Sequence, residues 1–257
     1  MYPDSGVRCS GDIDVWVDAD MDSLYRFVKK RFPNANDCLQ HIELPLFQDV
    51  EVEAHYTPLR LYHSRHNDLL QDWIEEEKDK QFNHSARLPE KEVDIHIPTT
   101  CFNVVYQLGH IMRHLIDGGI GLRQVIDYFY VLKQTVDAGE AEKKKIVSTW
   151  EQLGMKNFAA GVIWIEKELL GIPKECLVVE PNSTAGRLIA ETIMEGGNFG
   201  MYSNKHRNRT RCRITKGLFD AWWYLQLFRC IPSEATARMK HKIKSTIKVM
   251  KTKSLSV

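Results

Sequence analysis

Residues 8–17 read RCSGDIDVWV and residues 50–56 read VEVEAHY, and the two stretches share one rhythm. In the first, Ile13, Val15 and Val17 alternate with Asp12, Asp14 and Trp16; in the second, Val50, Val52 and Ala54 alternate with Glu51, Glu53 and His55. A period of two marks a β-strand with one apolar and one polar face. Asp12 and Asp14 then project from the same side of their strand, and the three polar groups of the second stretch from one side of theirs. Strands paired at about 4.8 Å bring a third carboxylate within reach of the first two.

Working outward, residues 20–31 predict an amphipathic helix, with Leu24, Phe27 and Val28 at helical spacing and Asp20 or Asp22 as its cap. Pro33 and Asn34 stop it. Residues 39–44 predict a further strand, 45–48 a connecting turn and 49–56 the acid-bearing strand. Residues 67–80 predict a helix on the stripe Leu69, Leu70, Trp73 and Ile74.

From Thr100 the spacing turns helical almost to the end. CFNVVYQLGHIMRHLIDGG (101–119) is an apolar helix closed by Gly118 and Gly119, as a C-cap requires. Helices follow over 122–136, 143–153, 156–170 and 183–194, punctuated by Gly154, Gly171 and Pro173, then over 217–230 and in the basic segment after Pro232. Strands first and helices afterwards predict an α+β fold, with a small mixed sheet over residues 1–98 and a larger helical part over 99–257.

Composition sets the broad class. The 257 residues are 43% hydrophobic and 27% charged, the balance of an ordinary globular protein. A net charge of +1 exerts no global pull on nucleic acid or anionic membrane. Charge is uneven all the same. The acids gather between Asp12 and Asp94, whereas residues 205–216 (KHRNRTRCRITK) are rich in Lys and Arg and hold no acid. That run could meet phosphates, although solvated helix faces are the commoner explanation, so nucleic acid is not the expected partner. The six cysteines form no CxxC pair, which argues against a zinc ribbon and a disulfide scaffold. With no apolar leader in MYPDSGVRCSGD and no apolar run of ~18 residues, a reducing cytoplasmic location is expected.

Three converging carboxylates suit a hard divalent cation such as Mg²⁺, and metals so held serve in-line displacement at phosphorus. An Asp-x-Asp pair alone would read as a solvent-facing strand edge; Gly11 before it and the second acid-bearing strand favour a site. RCSGDIDVWV and VEVEAHY together resemble the polymerase-β-like nucleotidyltransferase superfamily. The likeness is to its uncharacterised nucleotidyltransferase branch, whose helical signature HIMRHLIDGGIGLRQVIDYFYVL (110–132) and GGNFG (196–200) also resemble. The resemblance implies a transferase that moves an NMP from an NTP to an acceptor with Mg²⁺ or Mn²⁺. It implies Asp12, Asp14 and Glu53 as catalytic metal ligands, with Glu51 the same-face rival to Glu53. Gly11 and Arg8 would lie by the nucleotide, although Arg8 could equally form a plain salt bridge.

The family places a Gly-Ser, or in this branch a Lys-Gly, upstream of the aspartates to contact the phosphates. Eleven residues precede Asp12 here, and Ser5-Gly6 lie close to it. Two expectations follow: an enzyme with that element further upstream, or an inactive member that binds a nucleotide or a protein partner.

Two helical features complete the reading. Arg123 enters its helix behind Gly119 and Gly121 and could contact a nucleotide phosphate, or pair with Asp127 four residues on. His110 and His114 share a helix face, but Ile111 stands where a zinc protease needs Glu, so hydrogen-bonded histidines are expected rather than a metal site.

Overall fold

The computed structural model describes residues 2–4, 6, 8, 11–38, 40–88, 92–196 and 213–254. GGNFG beyond Gly196 and the basic run through residue 212 lie outside the described residues. Packing divides the chain into two units, Met1–Arg60 and Leu61–Val257. The division differs from the sequence boundary at 98/99: residues 61–98, assigned by sequence to the sheet-bearing part, pack with the helical unit.

The first unit is built on a three-stranded mixed sheet in the order β1-β3-β2, from β1 (Ile13–Trp16), β2 (His41–Leu44) and β3 (Val52–His55). β1 runs parallel to β3, and β2 runs antiparallel to it. Helix α1 (Met21–Arg31) supplies Leu24 and Val28 to a core with Ala35, Ile42 and Ala54. Asp20 caps the helix, its carboxylate accepting from the Ser23 amide at 2.8 Å and the Ser23 hydroxyl at 2.9 Å. The bond from the Ser23 amide, foremost, holds the Asp20 carboxyl below its usual range. Phe27, placed by the sequence on the inner stripe of this helix, is 61% exposed. On the apolar face of β1, Ile13 and Val15 stay 45% and 43% exposed, because β1 is an edge strand among the described residues.

The second unit opens with α2 (Ser64–Phe82) and a two-stranded hairpin, β4 (Ser85–Leu88) with β5 (Val93–His96). The sequence reading has no counterpart to this hairpin. Then come α3 (Thr100–Asp117), α4 (Leu122–Lys133), α5 (Glu140–Gln152), α6 (Lys156–Glu168), α7 (Ser183–Gly196), α8 (Arg213–Leu227) and α9 (Pro232–Ser254). Together they give the expected α+β class. Gly118 ends α3, the amides of Gly118 and Gly119 both donating to the His114 carbonyl at 3.1 and 3.0 Å. His110 and His114 hydrogen-bond each other through Nε2 at 2.5 Å with stacked rings.

Two polar nodes tie α9 into this unit. The fully buried Glu234 accepts the Tyr62 amide at 2.6 Å and the His63 amide at 3.1 Å. Burial pushes its pKa up against the pull of those two bonds. The Tyr62 hydroxyl donates to the Asp117 carboxylate at 2.6 and 2.8 Å, while the guanidinium carbons of Arg113 and Arg238 lie 4.2 and 4.6 Å from the Tyr62 ring centre. Burial and the hydrogen bond to Asp117 drive the Tyr62 pKa well above its usual value, so the phenol stays a donor.

Helices α6 and α7 approach closely at Gly161 and Gly186. A Cβ at Gly161 would stand 2.8 Å from the Ala185 Cβ and 3.1 Å from the Ala185 backbone carbon; one at Gly186 would stand 2.4 Å from the Trp164 ring. Overpacking costs about 1–3 kcal/mol, against a gain of about 1 kcal/mol in helix propensity for Gly→Ala. Gly161→Ala is expected to lose about 1 kcal/mol net, read from the midpoint of urea denaturation with the slope unchanged.

Candidate metal centre

Strand register arranges the polar face of the first unit as a grid. Asp14 pairs with Glu53 across β1 and β3, and Glu53 pairs with Glu43 across β3 and β2. One row along, His55 stands between Trp16 and His41. Partners in register share a face, so Asp14, Glu53, Glu43, His55 and His41 all stand on the side opposite the α1 core. Hydrogen bonds from Ile13 N to Glu51 O at 2.8 Å and from Val17 N to His55 O at 2.9 Å clamp β1 to β3 at both ends.

Asp12, Asp14 and Glu53 each offer a carboxylate oxygen, and these oxygens lie within 4.8 Å of one another. Oxygen ligands about 2.1 Å from a Mg²⁺ stand at most about 4.2 Å apart, so small rotamer adjustments suffice to close the set. The donors are all hard oxygens and fit that ion. Glu51, the same-face rival, belongs to no potential metal-binding group among the described residues.

Three carboxylates this close repel one another, and a buried histidine offsets the repulsion. His55 Nε2 is 3.0 Å from Asp14 Oδ1 and 3.0 Å from Glu53 Oε2. Burial pulls the pKa of His55 down most strongly, but the hydrogen bonds and charges of Asp14 and Glu53 together overcome it and raise it to about 9. His55 is therefore a cation at neutral pH and holds both carboxylates in place.

His41 extends the constellation: its Nδ1 lies 3.2 Å from Glu53 Oε2, and its ring centre 4.8 Å from that of His55. Beyond it, Asn36 Nδ2 donates to Glu43 Oε2 at 2.7 Å, and Cys38, His41 and Glu43 form a further cluster. Burial, with Glu43 adding to it, raises the Cys38 pKa, so the thiol is protonated. The sequence reading passed over His41 and Glu43. Their signal was available, since His41 and Glu43 alternate with Ile42 and Leu44 as the acids do elsewhere.

Gly11 immediately precedes the acid-bearing edge, and Arg8 is exposed in the same unit. Arg123 is partly buried in the first turn of α4, after the N-cap Gly121, and belongs to the second unit. Among the described residues, no helix is long and apolar enough to cross a membrane.

No curated protein and no solved structure matches the chain. A family model does: that of an uncharacterised nucleotidyltransferase family matches residues 1–171 of the 257, a span that takes in every residue of this centre. On that match the chain belongs to this nucleotidyltransferase family.

Proposed function

We propose that the protein transfers a nucleoside monophosphate from an NTP to an acceptor, with Mg²⁺ or Mn²⁺ held by Asp12, Asp14 and Glu53. The observation that carries this reading is the convergence of those three carboxylates on one sheet face within the family-matched segment. When bound, the ion supplies Lewis-acid stabilisation of the phosphate charge and lowers the pKa of the attacking hydroxyl.

The chain's own groups do the rest. Asp14 and Glu53, on paired strands, fix the distance between donors, and His55 prevents their mutual repulsion from splaying them. The acceptor hydroxyl attacks the α-phosphorus and forms the new O–P bond. The α–β phosphoanhydride bond breaks, pyrophosphate leaves, and the hydroxyl proton passes to Asp14 or Glu53. Arg8 and Gly11 supply a cation and an open backbone beside the phosphates.

Calorimetry of ATP and GTP, each with and without Mg²⁺, tests the reading against the Asp12→Ala/Asp14→Ala double variant. Metal-dependent binding is expected in the wild type and lost in the variant. Failure of the folded wild type to bind either nucleotide would sink the enzyme reading and favour an inactive, partner-binding member.

A further inference from the structure

The polar face of the first unit carries a second donor set of different chemistry. His41, Glu53 and His55 each present a ligand atom, and these lie within 4.8 Å of one another. His41 Nδ1 and His55 Nε2 both point at one atom, Glu53 Oε2, from 3.2 and 3.0 Å. The three donors stand on regular strands, His41 paired with His55 across β2 and β3 and Glu53 two residues before His55. Such positions fix donor geometry more firmly than loops do.

The donor types select the metal. Two imidazoles and one carboxylate form the His₂Glu set of catalytic zinc sites, which leave a fourth position open. Mg²⁺ prefers six oxygens and takes imidazole poorly. The surroundings agree with a ligand role. The side chains of His41 and His55 are only 14% and 5% exposed, and His41 Nδ1 is buried without an aligned hydrogen bond.

We infer that His41, Glu53 and His55 form a binding site for a borderline divalent ion of the Zn²⁺ type, beside the all-carboxylate set and sharing Glu53 with it. The site goes beyond the transferase reading and does not depend on it. Zn²⁺ here takes up Glu53 and displaces to solvent the proton that His55 Nε2 otherwise shares with Asp14 and Glu53, so its occupancy alters Mg²⁺ affinity at Asp12 and Asp14.

The test uses the full chain stripped of metal, with Zn²⁺ measured by competition against a chromophoric chelator and Co²⁺ as a spectroscopic probe. One equivalent of Zn²⁺ is expected to bind, and Co²⁺ to give the visible d–d bands of a low-coordinate N/O site. His41→Ala should weaken Zn²⁺ by about 100-fold or more. Asp12→Asn should change it by less than about threefold, because Asp12 belongs only to the all-carboxylate set. His55→Ala is the companion variant; being buried, it is judged only where circular dichroism shows it folded, and His41→Ala decides otherwise. Three results would overturn the assignment: no Zn²⁺ binding by the folded wild type, binding that survives His41→Ala unchanged, or a thiolate-to-Co²⁺ charge-transfer band abolished by Cys38→Ser. The last would move the ion to Cys38, His41 and Glu43.

Discussion

Asp14→Asn is expected to lower nucleotidyl transfer by about a thousandfold while leaving the protein folded. Metal-ion stabilisation of the phosphoryl oxygens is worth several kcal/mol, and each 1.36 kcal/mol is a factor of ten in rate, so loss of about 4 kcal/mol is about 10³. Asparagine has the same shape but no charge, and it binds hard divalent ions weakly as a lone replacement for carboxylate. The fold should survive because the Asp14 side chain is one-third exposed on the edge strand β1, and an asparagine carbonyl still accepts the bond from His55 Nε2. Steady-state turnover at saturating Mg²⁺ and thermal denaturation by circular dichroism give the two readings. A variant that melts like the wild type and turns over at the wild-type rate would remove Asp14 from the metal set. Glu53→Gln, on the central strand, should lose activity to a similar degree. It should also lose stability, since Glu53 is only 16% exposed and faces both His41 and His55.

The sheet and its acids were legible because alternation has one physical meaning. A strand that is polar on one face and apolar on the other can bury only one of them, so the pattern in 12–17 and 50–56 places the carboxylates together before any pairing is known. The helices were legible for the same reason at a period of 3.6: α3 buries ten of its residues, and its apolar positions announce it. The β4–β5 hairpin announces nothing, since every residue of β5 is exposed and no buried face imposes a pattern. His55 was visible as a same-face neighbour but not as a group bridging Asp14 and Glu53. That role depends on the parallel register of β1 and β3, which pairs Asp14 with Glu53, 39 residues further along the chain, and which local sequence does not encode. Glu166 was the least legible residue of all, because in FAAGVIWIEKELL a glutamate near a helix end reads as solvated.

Glu166 instead is fully buried, and neither carboxyl oxygen has a hydrogen-bond partner among the described residues. Burial alone raises its pKa from 4.5 to about 9, which keeps it protonated at neutral pH, and Tyr128, also fully buried, is held neutral by burial and by Glu166. The consequence for stability has a definite sign. In the unfolded chain Glu166 ionises near pH 4.5, and in the folded chain only near pH 9. Below pH 4.5 it is protonated in both states and adds no ionisation penalty. As pH rises through this window the unfolded state binds fewer protons, so stability falls until the folded pKa is passed. At pH 7 the loss is of order 3 kcal/mol, the 2.5 units above 4.5 taken at 1.36 kcal/mol each. Glu166→Leu, a replacement without a proton to lose, is therefore expected to flatten the decline in stability between pH 5 and pH 9. Its stability advantage over the wild type should be larger by a few kcal/mol at pH 8 than at pH 4.5. Urea denaturation at a series of pH values measures this directly. A difference between the two proteins that stays constant from pH 4.5 to pH 9 would mean that Glu166 is not the group being titrated.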